Sequence, residues 1–191
     1  MNKLKTLKQL NNYLTHTIST NHFNNQNTSR IMLPFVRNAL DNYTKNNNQD
    51  WIKEAFKSND FYLDNKYNKS DNEYIPINRH IIKSSKYYEM YLLNWKPYQK
   101  SSIHNHTKGG CFLIPMNGHL LEKQFRVINM ENNTYNFNNN KLFIIDSKDV
   151  IKKEDTILPV RSINYINDSI GVHQVENNTN KNVISLHLYL F

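Results

Sequence analysis

The apolar positions of this chain follow two different periods. Leu4, Leu7, Leu10 and Leu14 recur at three- and four-residue steps, which places them on one stripe of a short helix. Pro34 suits the first turn of a second helix, with Phe35, Val36, Leu40 and Tyr43 following. Trp51 to Phe56 predicts a third short helix, and a polar loop from Asp64 to Glu73 closes this part. From about Ile77 onward the helical period disappears. Tyr87 to Trp95, Cys111 to Met116, His119 to Arg126, Leu142 to Ile145, Val160 to Ile166, Gly171 to Glu176 and Asn182 to Leu190 are short segments rich in β-branched and aromatic residues. Pro97, Gly109-Gly110, Gly118 and Asn-rich turns separate them.

Many short strands without intervening helices predict a mainly β fold, an antiparallel sandwich or barrel. The expected layout is one domain over 1–191, with a helical part over 1–65 packed outside a barrel over 77–191. No internal repeat is visible. The last strand is the clearest. Val183, Ser185, His187 and Tyr189 share one face; Ile184, Leu186, Leu188 and Leu190 share the other. Both faces read as buried, yet one is a line of hydroxyl, imidazole and phenol. Buried polar groups need partners, so this line fits the wall of a functional cavity better than an inert core.

Composition narrows the class. The net charge is +8, but Lys3, Lys5, Lys8, Lys53, Lys57, Lys66, Lys83 and Lys86 are scattered and form no dense block. That argues for a solvated basic surface and against nucleic acid as a partner. Stretches such as Asn46-Asn47-Asn48 and Asn138-Asn139-Asn140 read as loop filler. One cysteine excludes an intrachain disulfide and fits a reducing compartment. The start, Met1-Asn2-Lys3-Leu4-Lys5, carries no apolar signal core, and no apolar run reaches membrane-spanning length. A soluble, cytoplasmic monomer without a membrane partner is expected.

The chemistry concentrates around His104-Asn105-His106. Histidines one residue apart on a strand face the same way, so two imidazoles can reach one metal ion. A third ligand can come from a remote strand, and His173 is the candidate. Zinc and iron both accept three imidazoles. His16, His22, His80 and His119 have no constellation around them and read as ordinary residues.

His104-x-His106, four residues, Cys111, six residues, Gly118 resembles the first motif of the cupin superfamily, with cysteine where most cupins carry a glutamate ligand. Gly171 to Asn177 resembles the second motif. The closer resemblance is to the cysteine dioxygenases, thiol-oxidising iron enzymes of that superfamily. It is carried by Trp95, by Ser101 to Thr107 with Cys111-Phe112-Leu113, by Tyr165 to His173, and by Ser185-Leu186-His187-Leu188-Tyr189. The family has Asp where Asn105 stands, histidine where Gly110 stands, and a proline-containing segment beyond the tyrosine, where this sequence reads Leu190-Phe191.

The resemblance implies a cupin-type jelly-roll barrel with Fe(II) on His104, His106 and His173. It implies a thioether crosslink between Cys111 and Tyr189, with His187 and Ser185 orienting the phenol. Arg79, in Asn78-Arg79-His80-Ile81-Ile82, is implied as the cation for a substrate carboxylate, which suits its planar fork. The family has tyrosine two residues earlier, at Ile77. The implied reaction adds both atoms of O2 to the sulfur of free L-cysteine, giving cysteine sulfinate. The alternatives are another small thiol, such as 3-mercaptopropionate, or a metal-binding cupin without turnover.

Overall fold

The computed structural model describes residues 1–22, 28–56, 77–128 and 144–191. Helix α1 is Leu7–His22, α2 Thr28–Asn46 and α3 Asp50–Phe56. A reciprocal cap starts α1: the Gln9 amide donates to Thr6 Oγ1 at 3.1 Å, and the Thr6 amide donates to Gln9 Oε1 at 3.2 Å. Leu7, Leu10, Leu14 and Ile18 form its buried stripe. Asp50, which opens α3, accepts from the Leu7 amide at 2.7 Å and the Tyr43 hydroxyl at 2.9 Å. One carboxylate thus ties all three helices together. Pro34 does not begin α2 but sits inside it. Met32, buried with Val36, Ala39, Leu40 and Tyr43, extends the apolar stripe upstream, and burying that extra turn favours helix ahead of the proline.

The strands are β1 Asn78–Ser84, β2 Tyr88–Trp95, β3 Cys111–Pro115, β4 Leu120–Val127, β5 Val150–Leu158, β6 Asn164–Ile166, β7 Val172–Glu176 and β8 Val183–Leu190. They form a five-stranded sheet in the order β1-β2-β8-β3-β6 and a three-stranded sheet in the order β5-β4-β7, with every pairing antiparallel. The helices cover the outer face of the larger sheet. There Tyr88, Met90, Leu92, Phe112 and the even-numbered row of β8 pack on α1 and α2. Between the sheets, Leu93, Trp95, Leu113 and Val183 meet Leu120, Leu158 and Val175. This is the cupin-type jelly roll with flanking helices that the resemblance implies.

All eight residues of β8 are buried, as its two-faced pattern predicts. Each fully buried leucine or isoleucine of its outer row contributes about 1.5–3 kcal/mol. β8 lies between β2 and β3, which is why its inner row reaches the centre of the barrel.

The pattern missed β1 and β5 and misplaced β6. The segment expected from Val160 to Ile166 is strand only over β6; Arg161 adopts φ 65° in the turn before it. β5 was not anticipated, because nearly all of it is exposed and neither face is apolar. Ile144 makes an isolated bridge to His104 and Ile145 is buried, while Leu142 and Phe143 lie outside the described residues. So do the Asp64 to Glu73 loop and the Asn138 segment, and the His22 side chain is not described either. Among the described residues, no helix is long and apolar enough to cross a membrane.

Candidate metal centre

His104 and His106 do not lie on a regular strand. They sit in an irregular stretch before β3, where His104 exchanges backbone hydrogen bonds with His173 of β7, at 3.0 and 3.2 Å. The chain is held there by Asp168, whose Oδ1 accepts the His106 amide at 2.7 Å. The extended dipeptide still turns both rings to one side, with centroids 5.4 Å apart. The backbone bridge brings His173 onto them.

The three rings meet through their Nε2 atoms, His106 to His173 at 3.0 Å and His173 to His104 at 3.2 Å. Tautomers follow from the opposite nitrogens. His104 Nδ1 faces the Ser102 carbonyl at 3.0 Å, and His173 Nδ1 faces Glu122 Oε1 at 2.7 Å. Both oxygens can only accept, so both Nδ1 atoms carry the proton and both Nε2 atoms present lone pairs. Burial, the charge of neighbouring His173 and Arg79 hold the His104 pKa down at about 3, against the Ser102 hydrogen bond that would raise it. Burial also holds His106 and His187 well below the ordinary imidazole value. His104 and His106 are therefore neutral imidazoles.

Lone pairs turned on one another at such distances repel unless a cation lies between them. Three imidazole nitrogens are a ligand set that both zinc and iron accept. Among the described residues, no carboxylate or thiol joins the cluster.

Glu122 on β4 is the feature that sequence reasoning missed. It is 1% exposed, and besides His173 its Oε2 accepts from Gln124 Nε2 at 3.1 Å and Asn164 Nδ2 at 2.8 Å. Burial would raise its pKa, but the hydrogen bond and charge of His173 outweigh that and keep it low. The available signal was a lone carboxylate at an inward position of an alternating strand, between Leu120 and Gln124.

A cavity of about 410 Å³, counting the space at its mouth, opens beside the histidines. Its walls include Ile77, Arg79, His104, His173, His187 and Tyr189. Arg79 lies within β1, the edge strand. Trp95, also in the wall, donates from Nε1 to Ser185 Oγ at 2.8 Å, and Ser185 Oγ lies 2.8 Å from His187 Nε2. The His187 ring stacks against Tyr189 with centroids 6.3 Å apart, and its Nδ1 lies 4.0 Å from Cys111 Sγ. Cys111 stands opposite Tyr189 in the β3–β8 pairing and is buried beside it and Ile166. Burial pushes the Cys111 thiol well up, so it is protonated at neutral pH. Every candidate named from the sequence falls in or directly behind this cavity.

A family model described as Cysteine dioxygenase type I matches residues 14–191. Cysteine dioxygenase type 1 of Bos taurus is 36% identical over 103 residues, which is 53% of this chain and 44% of that protein. Its Danio rerio counterpart is 29% identical over 155 residues, 81% of this chain and 63% of that protein. The chain thus spans about half the length of the curated relatives it matches. A cupin domain from Bordetella pertussis superposes with a TM-score of 0.41 at 10% identity, covering 63% of this chain and 99% of that domain.

Proposed function

Because the chain belongs to the cysteine dioxygenase type I family, we propose that it is a thiol dioxygenase converting free L-cysteine and O2 to cysteine sulfinate. His104, His106 and His173 would hold Fe(II). The observation that carries this reading is the convergence of three imidazole Nε2 atoms with no anionic ligand beside them among the described residues. A bound ferrous ion would supply the sites at which thiolate and O2 meet, and its full positive charge favours an anionic sulfur.

The protein's residues supply binding and orientation. Arg79 takes the carboxylate with its guanidinium fork, and its charge already acts on His104, His187 and Cys111. Glu122 fixes the His173 ring and keeps its Nδ1 protonated. Ser185 accepts the Trp95 indole proton, so its own proton is directed to His187 Nε2; the neutral ring then carries its proton on Nδ1, toward Cys111. Tyr189 faces the cavity as the donor to substrate or oxygen, joined to Cys111 by a thioether bond that replaces the Cys111 S–H and a ring C–H, the two protons and two electrons released being taken up by a separate O2. The reaction RSH + O2 → RSO2H balances without an external reductant.

The test is anaerobic reconstitution with Fe(II), followed by oxygen uptake and product analysis with L-cysteine, 3-mercaptopropionate and cysteamine. Sulfinate from L-cysteine, and weak turnover of cysteamine, which lacks the carboxylate, are expected. Preference for 3-mercaptopropionate would reassign the substrate. Iron binding with no sulfinate from any thiol would leave a metal-binding cupin.

A further inference from the structure

Tyr91 of β2 takes no part in the cavity wall, yet its ring meets Arg79, assigned to the substrate's carboxylate, and Tyr189, assigned as the donor to substrate or oxygen. It stands opposite His187 across β2–β8 and opposite Ile81 across β1–β2, so Tyr189 and Arg79 are its diagonal neighbours on the same face. The Arg79 guanidinium carbon lies 5.9 Å from the centre of the Tyr91 ring, over its face. The Tyr189 ring meets the Tyr91 ring edge-on, with centroids 6.0 Å apart at 80°. The ring itself is held from the other side. Its hydroxyl donates to Glu89 Oε2, and Glu89 Oε1 accepts from Ser84 Oγ at 2.8 Å. Ile77, in the cavity wall two residues before Arg79, offers no polar atom that could do this holding.

We propose that Tyr91 is the positioning residue that makes this site selective for thiols bearing a carboxylate, its anchored ring serving as one platform for Arg79 and Tyr189. The π face attracts the guanidinium and restricts its side-chain rotation, and the edge-on contact sets the tilt of the Tyr189 phenol. A long cation fixed before the substrate arrives loses less rotational freedom on binding it. This rests on the thiol-dioxygenase reading of the same site.

The experiment compares Tyr91→Leu and Tyr91→Phe in the iron-loaded protein, with L-cysteine and cysteamine as substrates. Tyr91→Leu should raise KM for L-cysteine about three- to tenfold, the range of a cation–π contact, with KM for cysteamine unchanged. Tyr91→Phe keeps the face but loses the anchor at Glu89, so its KM for L-cysteine should fall between those of wild type and Tyr91→Leu. An unchanged KM for L-cysteine, an equal rise for cysteamine, or Tyr91→Phe as impaired as Tyr91→Leu would each overturn the proposal. A second readout needs neither turnover nor iron: the Arg79 Nε–H resonance, assigned with Arg79→Lys, should be ring-current shifted in wild type and Tyr91→Phe and lose that shift in Tyr91→Leu. If the wild type oxidises no thiol, the proposed function fails while this signal still decides the role of Tyr91. If Tyr91→Leu does not fold, an Arg79 signal in wild type at its random-coil position overturns the proposal by itself.

Discussion

Replacing Glu122 by glutamine changes one oxygen to an amide nitrogen and should nevertheless disable the metal centre. The carboxylate accepts from three donors, His173 Nδ1, Gln124 Nε2 and Asn164 Nδ2. A carboxamide has one acceptor and one donor end. With its oxygen toward His173, its NH2 faces two other amide groups and at least one buried donor is unsatisfied, a cost of about 1–3 kcal/mol. The bond to His173 also loses its charge assistance, about 1 kcal/mol more. With the amide turned the other way, its NH2 faces Nδ1, the proton moves to Nε2, and that nitrogen can no longer bind metal. A loss of about 2–4 kcal/mol in the metal-free protein is therefore expected. Metal affinity should fall about 10–100-fold, the usual effect of removing a hydrogen-bonding partner of a ligand. Chelator competition on reconstituted protein and urea unfolding of the metal-free form measure the two. Lys123→Gln, one residue along β4, is the control, since it breaks a partly exposed ion pair with Glu176 of β7 and should cost under about 1 kcal/mol. Metal affinity within twofold of wild type in Glu122→Gln would refute the view that Glu122 fixes the working tautomer.

The metal-free protein should weaken on mild acidification. His106 and His187 are held by burial below the ordinary imidazole value, so in acid the unfolded chain binds protons that the folded chain refuses. Their contribution is present above about pH 6.5 and is lost as pH falls toward the folded values, at up to about 1.4 kcal/mol per pH unit for each ring. Glu122 adds to this only below the usual carboxylate range, outside the window from pH 6.5 to 5. Urea midpoints across that window should fall steadily, and a flat profile would contradict the buried neutral rings. Trp95→Phe keeps an aromatic ring but is smaller, and it removes the indole N–H that donates to Ser185 in the buried interior. It should cost about 1–3 kcal/mol, read by thermal melting; a stability equal to wild type would mean the hydrogen bond is replaced.

The sequence disclosed what its side chains must do chemically and concealed what the backbone decides. β8 was legible because both of its faces are buried for different reasons, and His104, His106 and His173 because few other settings need that spacing. β5 was illegible because a strand exposed on both faces has no apolar period to detect. Arg79 was found through the family resemblance of its segment, but an edge strand with a register shift between Ile81 and Lys83 offers no clean alternation to place it on. The histidine pair was assigned to a strand, whereas a backbone bridge to His173 and the carboxylate of Asp168 hold it in an irregular segment. Glu122 was overlooked because a single acidic residue in Leu120-Leu121-Glu122-Lys123-Gln124 is read first as solvated.

The alternation along β8 also limits how this protein can evolve. Substitutions at Ile184, Leu186, Leu188 and Leu190 are constrained by volume, and those at Ser185, His187 and Tyr189 by chemistry, so the two rows can drift separately. Insertion or deletion of a single residue has no such freedom. It would turn the imidazole and phenol toward the helices and leucines toward the metal, losing core and site in one event. Lineages of this protein should therefore accumulate length changes in their loops and exchange residues, but never shift frame, within this strand.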